Sequence, residues 1–366
     1  MEWLIGGIES LGVILVVLTL SALLLWVERK GSALVQNRVG ANRASVLGIM
    51  PFNLGFMNTL MADPLKLFTK EDFVPANADR LGHALAPCIA LFPAIVTFAA
   101  MPFGDSVSVA GRVINLQAVN LDVGLLYISA LASMGVYGIV LAGWASNNRW
   151  ALLGSIRGSA QMISYELAMG ISLVSMILLY GTLDMQEMVR SQGKLLFGVL
   201  PAWGVFYQPV AFLILLTAGI AETKRVPFDL PECESELIAG YYTEYSGGKQ
   251  ACFMLSDFAE IVMVSGLVTT LFFGGWQVPY LDSNAGLSLP GMTPVALPGA
   301  LITALQVGSF GVKVLFFCCL QILVRWTLPR FRYDQLMNLG WKKMMPIALL
   351  NMVATALVIL LVEQGR

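Results

Sequence analysis

Carboxylates are the residues of this chain whose number and spacing could do chemistry. Between positions 222 and 249 stand Glu222, Asp229, Glu232, Glu234, Glu236 and Glu244, against only Lys224, Arg225 and Lys249. Acids crowded this way repel one another when all are ionised, which favours proton uptake by at least one of them. A helix over 229–237 would set Asp229, Glu232 and Glu236 on one face through spacings of three and four, with Glu234 pointing elsewhere. A solvated acidic loop is the plainer alternative. Glu166, Asp257, Glu260 and Lys313 raise a sharper question, because they interrupt long apolar runs. An ionised side chain at the centre of a bilayer costs at least about 2.5 kcal/mol and persists only when it is paired or faces a wet interior. Asp257 and Glu260, three apart, share a helix face, and Glu166 lies about nine residues beyond Arg157, well inside its run. Several acids at similar depth point to proton exchange along a polar path.

Other chemistries find less support. The five cysteines, Cys88, Cys233, Cys252, Cys318 and Cys319, include no C-x-x-C pair, so they supply no ligand set for an iron-sulfur cluster or a structural zinc. A membrane haem carrier needs paired axial histidines, and His83 is the only histidine. No covalent redox cofactor and no bound metal are expected, and nothing suggests a nucleic-acid partner.

The elements that must position these acids are membrane helices. Of 366 residues, 57% are hydrophobic and 12% charged, where soluble domains carry roughly 25% charged residues. Runs of about 20 residues nearly free of charge, the length a helix needs to cross the hydrocarbon layer, recur at 4–27, 81–103, 122–145, 159–180, 202–221, 250–275, 301–325 and 344–362. The expected fold is therefore all-α and polytopic, a single transmembrane domain over 1–366 with about eight spans. Seventeen of the 22 Lys and Arg residues fall in the connections after spans one, three, five and seven, which places those connections in the cytoplasm and both termini on the opposite side. Glu2 and Glu9 flank the first span in place of a basic n-region, so it reads as a retained helix. The first connection, 28–80, has Phe56, Met57, Leu60, Met61, Leu65 and Phe68 at helical spacing, with Asp63, Lys66 and Lys70 turned away. This suits a helix lying in the interface plane. Pro64 fits poorly inside such a helix and well at the start of a shorter one after Asp63.

Five blocks of sequence carry a family resemblance. The longest is Glu222-Thr-Lys-Arg-Val-Pro-Phe-Asp-Leu-Pro-Glu-Cys-Glu-Ser-Glu-Leu237, followed by Gly240, Thr243, Glu244 and Tyr245. Glu28, Arg29, Lys30, Gln36, Arg38, Gly40, Asn42 and Arg43 form a second, and Ala62, Asp63, Lys66, Leu67, Lys70 and Glu71 a third. The fourth is Arg157, Ala160, Gln161, Ser164, Tyr165 and Glu166, and the fifth runs from Arg325 through Leu328, Pro329, Arg330 and Arg332 to Tyr333-Asp-Gln-Leu-Met337. Together they resemble the H-subunit family of bacterial respiratory complex I, the counterpart of mitochondrial NADH dehydrogenase subunit 1, over nearly the whole chain. Departures exist: Ala41 stands where the family usually has Pro, the 43–63 segment is several residues longer, Lys224 stands where Asn is common, and Asp257-Phe258 replaces Glu-Tyr.

The resemblance implies a membrane subunit of proton-pumping NADH:quinone oxidoreductase that forms a quinone cavity from connections 28–80 and 222–249. Arg29, Asp63, Arg225 and Phe228 are then the expected cavity or entrance residues. Glu166, Glu222, Glu232, Glu234, Glu236, Glu244, Asp257 and Glu260 are the expected proton path. Quinone is the implied substrate, flavin and iron-sulfur clusters belong to partner subunits, and the implied partners are the cytoplasmic quinone-module subunits, neighbouring membrane-arm subunits and lipid. The implied location is a bacterial cytoplasmic membrane. Three readings stay open beside it: the membrane anchor of a nickel-iron hydrogenase or formate hydrogenlyase, a stand-alone ion transporter in which the intramembrane acids and Lys313 are substrate or proton sites, and a structural anchor with no cavity.

Overall fold

The computed structural model of the protein describes residues 2–40, 62–109, 112–196, 200–282, 286–287 and 297–364. Helices dominate: α1 (Glu2–Val35), α2 (Asp63–Thr69), α3 (Arg80–Val96), α4 (Gly124–Ala145), α5 (Arg149–Tyr180), α6 (Met185–Ser191), α7 (Gly204–Tyr207), α8 (Pro209–Glu222), α9 (Glu234–Leu237), α10 (Gly247–Phe272), α11 (Gly299–Thr327), α12 (Tyr333–Asn338) and α13 (Met345–Gln364). Among the described residues strands are confined to three small antiparallel hairpins, the longest pairing Ser106–Val109 with Arg112–Asn115.

Among the described residues seven helices are long and apolar enough to cross a bilayer, so the chain is an all-α multi-pass membrane protein. The fifth apolar run behaves differently from the others. Its helix α8 has 14 residues, about 21 Å at 1.5 Å per residue, against a hydrocarbon layer of about 30 Å. The single turn α7 precedes it, and Gly204 at the start of that turn lies so near α10 that an added Cβ would sit 2.4 Å from the Leu271 carbonyl oxygen. Three other helices outrun their apolar segments, α1 by continuing through Glu28, Arg29 and Lys30 to Val35. α5 begins at Arg149, where Asn148 caps it by accepting from the Trp150 amide. The last span continues from α12 through a π-helical stretch, Leu339–Met344. Polar turns can extend a helix past the bilayer because water, not lipid, surrounds them.

The packing is that of a membrane bundle. α10 is buried along almost its whole length and packs against α1, α3, α8 and α11. α13, by contrast, turns Leu350 and Leu361 outward at 70% and 69% exposure. Charge therefore concentrates at the centre and apolar side chains on the outside, which is the stable arrangement when lipid is the solvent.

The fourth-span motif proves to be a docking seam. Gln161 Nε2 donates to the Ala221 and Phe228 carbonyls, both at 2.7 Å, Tyr165 OH donates to Leu336 O at 3.0 Å, and Ser164 Oγ accepts from Trp341 Nε1 at 3.0 Å. In this way α5 holds α8, the acidic connection and the π-helical stretch in one register.

The interfacial helix expected from Phe56 to Phe68 lies mostly outside the described residues. Its described end is α2, with Pro64 in the first turn and Leu65 and Phe68 exposed. The conditional helix over 229–237 is corrected: only Glu234–Leu237 is helical. Pro231 has no amide hydrogen to donate, and Gly240 at φ +55° folds the chain back until a Cβ there would lie 1.7 Å from the Pro231 carbonyl oxygen.

Candidate functional site

The centre of the site is a buried cluster where the acidic connection meets α10. Lys224 Nζ lies 3.0 Å from Asp257 Oδ1 and 3.1 Å from Glu260 Oε2, with side-chain exposures of 3%, 4% and 9%. Tyr242 OH donates to the second Asp257 oxygen, and Ser256 Oγ donates to Glu260 Oε1 at 3.5 Å. Local sequence explains the reach. α8 ends at Glu222, and Lys224 two residues later adopts φ +55°, the left-handed region that Asn enters more readily than Lys. Burial acts to lower the proton affinity of the ammonium, but Asp257 and Glu260 overcome it and hold Lys224 above its ordinary value.

A second layer surrounds this cluster. Arg225 stands 4.5 Å from the Phe258 ring centroid, with its Nη1 3.5 Å from Glu28 Oε2 on α1, and Arg325 at the end of α11 pairs with the other Glu28 oxygen. Arg330 Nη2 lies 2.7 Å from Asp229 Oδ2. Burial pushes the Asp229 carboxyl up against the pull of Arg330. Glu232 accepts from Tyr241 OH at 3.5 Å. Burial, joined by the nearby Asp257 carboxylate and opposed by Arg225, raises Glu232 to about 8, so it is mostly protonated at neutral pH.

The expected proton-path residues divide into groups. Glu222, Asp257 and Glu260 converge on the cluster, and Glu222 keeps one carboxyl oxygen without a protein partner although the residue is only 6% exposed. Glu166 on α5 accepts from Ser133 on α4. Glu236 is turned outward to Arg157, away from Glu232. Glu244 accepts from Asn148 Nδ2 at 2.7 Å, and its backbone carbonyl meets His83 Nε2 at 3.2 Å. Glu234 opens α9, and its side chain is outside the described part.

Of the expected cavity residues, Arg29 and Asp63 form a surface pair at 2.7 Å. Arg225 belongs to the Glu28 layer. Phe228 is buried between the Tyr165 and Phe331 rings, with centroids 5.5 and 5.4 Å away, so it serves as a packed wall.

Sequence reading named Arg225 as a site residue but not the other cations, Lys224, Arg325 and Arg330. Lys224 stands in the sequence only as one of three cations among the acids and as a departure from a family pattern, Glu28, Arg325 and Arg330 are members of motifs, and Tyr242 carries no sequence signal. No spacing rule joins Lys224 to carboxylates 33 and 36 positions away or Glu28 to Arg325. Those pairings exist only through packing of α1, α8, α10 and α11. Among the described residues no group of three or more His, Cys, Asp or Glu side chains could hold a metal ion.

Comparison with known proteins adds a lineage to this geometry. The sequence model of a family described as NADH dehydrogenase matches residues 8–356. The chain is 46% identical to one of the proteins named as the H subunit of NADH-quinone oxidoreductase in Geobacter sulfurreducens, covering 98% of this chain and 97% of that one. It is 42% identical to the protein of the same name in Flavobacterium psychrophilum, covering 97% and 98%, and 40% identical to that of Bdellovibrio bacteriovorus, covering 98% and 97%. With the family match and these relatives spanning nearly its full length, the chain belongs to the NADH dehydrogenase family, as a relative of the proteins named as the H subunit of NADH-quinone oxidoreductase.

Proposed function

We propose that this chain is the membrane subunit that couples quinone reduction to proton translocation in an NADH:quinone oxidoreductase, in a bacterial cytoplasmic membrane with both termini on the non-cytoplasmic side. The observation that carries the reading is the Lys224–Asp257–Glu260–Tyr242 cluster, buried where the acidic connection enters the bundle. A fixed structural anchor has no use for two carboxylates, an ammonium and an unpartnered Glu222 oxygen at that depth, since apolar side chains would pack there at lower cost.

Electrons reach the quinone from flavin and iron-sulfur clusters on partner subunits. Each quinone that gains two electrons takes up two protons on its oxygens. This subunit supplies the wall by which an apolar tail enters, with the Arg29–Asp63 pair and the Arg225–Phe228 segment at the polar end. Glu232, protonated near neutrality, is an available donor, and Tyr241, Tyr242 and Asp257 lead from it toward Lys224 and Glu260. Loss of a proton at Glu232 places a new negative charge beside Arg225 and Asp257. That charge redistributes the Lys224 pairing and gives the bundle a second arrangement to adopt.

Purification through this chain in mild detergent tests the assignment. Flavin and iron-sulfur subunits that co-purify with inhibitor-sensitive NADH:quinone activity support it. A nickel-containing partner set without quinone activity refutes it. Glu222→Gln and Glu236→Gln are expected to lower quinone-linked turnover and pumping while NADH oxidation by an artificial acceptor persists, and normal turnover in both removes these acids from the path.

A further inference from the structure

A polar seam that the quinone-coupling reading does not use runs between α10 and α11. On α11, Gln321 turns toward α10, Lys313 toward the turn that follows α10, and Arg325 toward Glu28 on α1. From Arg325 to Lys313 the helix rises about 18 Å, more than half the hydrocarbon thickness. Arg325 pairs with Glu28 at the cytoplasmic end. One turn further in, Gln321 Nε2 donates to Ser265 Oγ at 2.9 Å and approaches Ile261 O at 3.3 Å, and Cys318 Sγ donates to the same Ser265 oxygen at 3.2 Å. Ser265, Cys318 and Thr269 are fully buried and Gln321 is 5% exposed.

Two atoms of this seam lack protein partners: Gln321 Oε1 and Thr269 Oγ1. A buried acceptor left unpaired costs about 1–3 kcal/mol, and an ordered water with two to four polar neighbours removes that cost. Beyond Thr269 the seam is closed by rings. Phe273 and Phe317 pack at 4.9 Å between centroids, and Phe212 flanks both. Past the rings, Lys313 Nζ donates to the carbonyls of Phe273, Gly275 and Gln277 at 2.9, 2.9 and 2.7 Å and lies 5.1 Å from the Trp203 ring centroid. Gln277 and Trp203 in turn line a polar cavity of about 500 Å³ on the face opposite the acidic connection. Polar groups thus occupy both sides of a single aromatic layer.

We propose that the α10–α11 seam holds ordered water at Gln321, Ser265 and Thr269 and forms a proton branch from the Glu28–Arg325 layer toward the opposite face, gated by the Phe273–Phe317 pair. Transfer along it is a relay. Each water or hydroxyl accepts a proton on one side as it releases another, so O–H bonds made equal O–H bonds broken and no group is left altered. The closed rings interrupt the chain of hydrogen bonds and keep the resting protein tight to protons. Lys313 holds the turn that follows α10 in place by satisfying the carbonyls of Phe273, Gly275 and Gln277. The proposal rests on reading the cytoplasmic carboxylates as proton-handling groups, but its test separates the two.

Radiolytic hydroxyl labelling of the whole complex in lipid nanodiscs, which oxidises side chains next to bound water, reads hydration directly. Cys318 is expected to label several-fold faster than Cys319, which is exposed on the same helix toward lipid. Gln321→Leu is expected to abolish that difference and to lower the proton-to-electron ratio. Phe317→Ala is expected to raise passive proton flux through proteoliposomes several-fold. Cys318 labelling no faster than Cys319 overturns the proposal in the native complex, without any variant having to fold. Rapid labelling with unchanged proton ratio in Gln321→Leu and unchanged flux in Phe317→Ala overturns the proton role. Normal quinone turnover in Glu222→Gln and Glu236→Gln together with a leaky Phe317→Ala separates the seam from the coupling reading and removes only the latter.

Discussion

Replacing Glu232 by Gln tests whether the acidic connection stores a proton. The carboxyl is raised from 4.5 to about 8, first by burial and then by Asp257. A tenfold change in proton affinity is worth about 1.4 kcal/mol, so the full displacement corresponds to at most about 5 kcal/mol. Glu232 keeps partial contact with solvent, which screens the interaction and leaves an expected effect of about 1–3 kcal/mol. The folded chain binds this proton more tightly than the unfolded chain does. The stabilisation is therefore complete below about pH 4.5 and is lost as pH rises through about 8. Gln is neutral at every pH and can still accept from Tyr241 OH, so the variant lacks this loss. Thermal midpoints of the assembled complex, measured from pH 5 to pH 9, should coincide for the two proteins at the acid end and diverge at the alkaline end, with Glu232→Gln the more stable. Parallel curves across the range would show that Glu232 titrates normally and would refute the burial argument.

Three further substitutions probe how the site is built. Lys224→Met removes the cation between Asp257 and Glu260, and breaking a buried pair in this way costs about 3–5 kcal/mol. The expected result is a lower thermal midpoint of the complex and reduced quinone reduction. Gly240→Ala forces a Cβ against the Pro231 carbonyl at a left-handed position. It should cost more than about 1 kcal/mol and loosen the connection, read as faster proteolysis between 229 and 245 with α10 still protected. Gln161→Leu strips one donor from the Ala221 and Phe228 carbonyls, a loss of about 1–3 kcal/mol that should appear as a lower midpoint of assembly with little pH dependence.

Membrane helices announce themselves by length and apolarity because lipid imposes one requirement along the whole span. That is why about eight spans are anticipated from the sequence and seven of them are long apolar helices among the described residues, whereas the 14-residue α8 departs from its apolar run: composition does not reveal that the chain leaves helical geometry at Gln208, between α7 and α8. The acids were equally legible, since a charge inside an apolar run is conspicuous. What each acid does was not. Asp229 and Glu236 looked like neighbours on one helix, yet Pro231 and Gly240 bend the connection so that Asp229 meets Arg330 and Glu236 meets Arg157.

The sequence by itself determined the class of the molecule, the number of its apolar segments, its family and the set of carboxylates available for proton chemistry. Tertiary structure decided which carboxylates are buried, which carry a cation partner, and which polar atoms remain unpaired. The division has a physical cause. Hydropathy is summed over neighbours in the chain. Electrostatic pairing falls off within a few ångströms of space, so Lys224 reaches Asp257, and Glu28 reaches Arg325, only after helices far apart in sequence have packed.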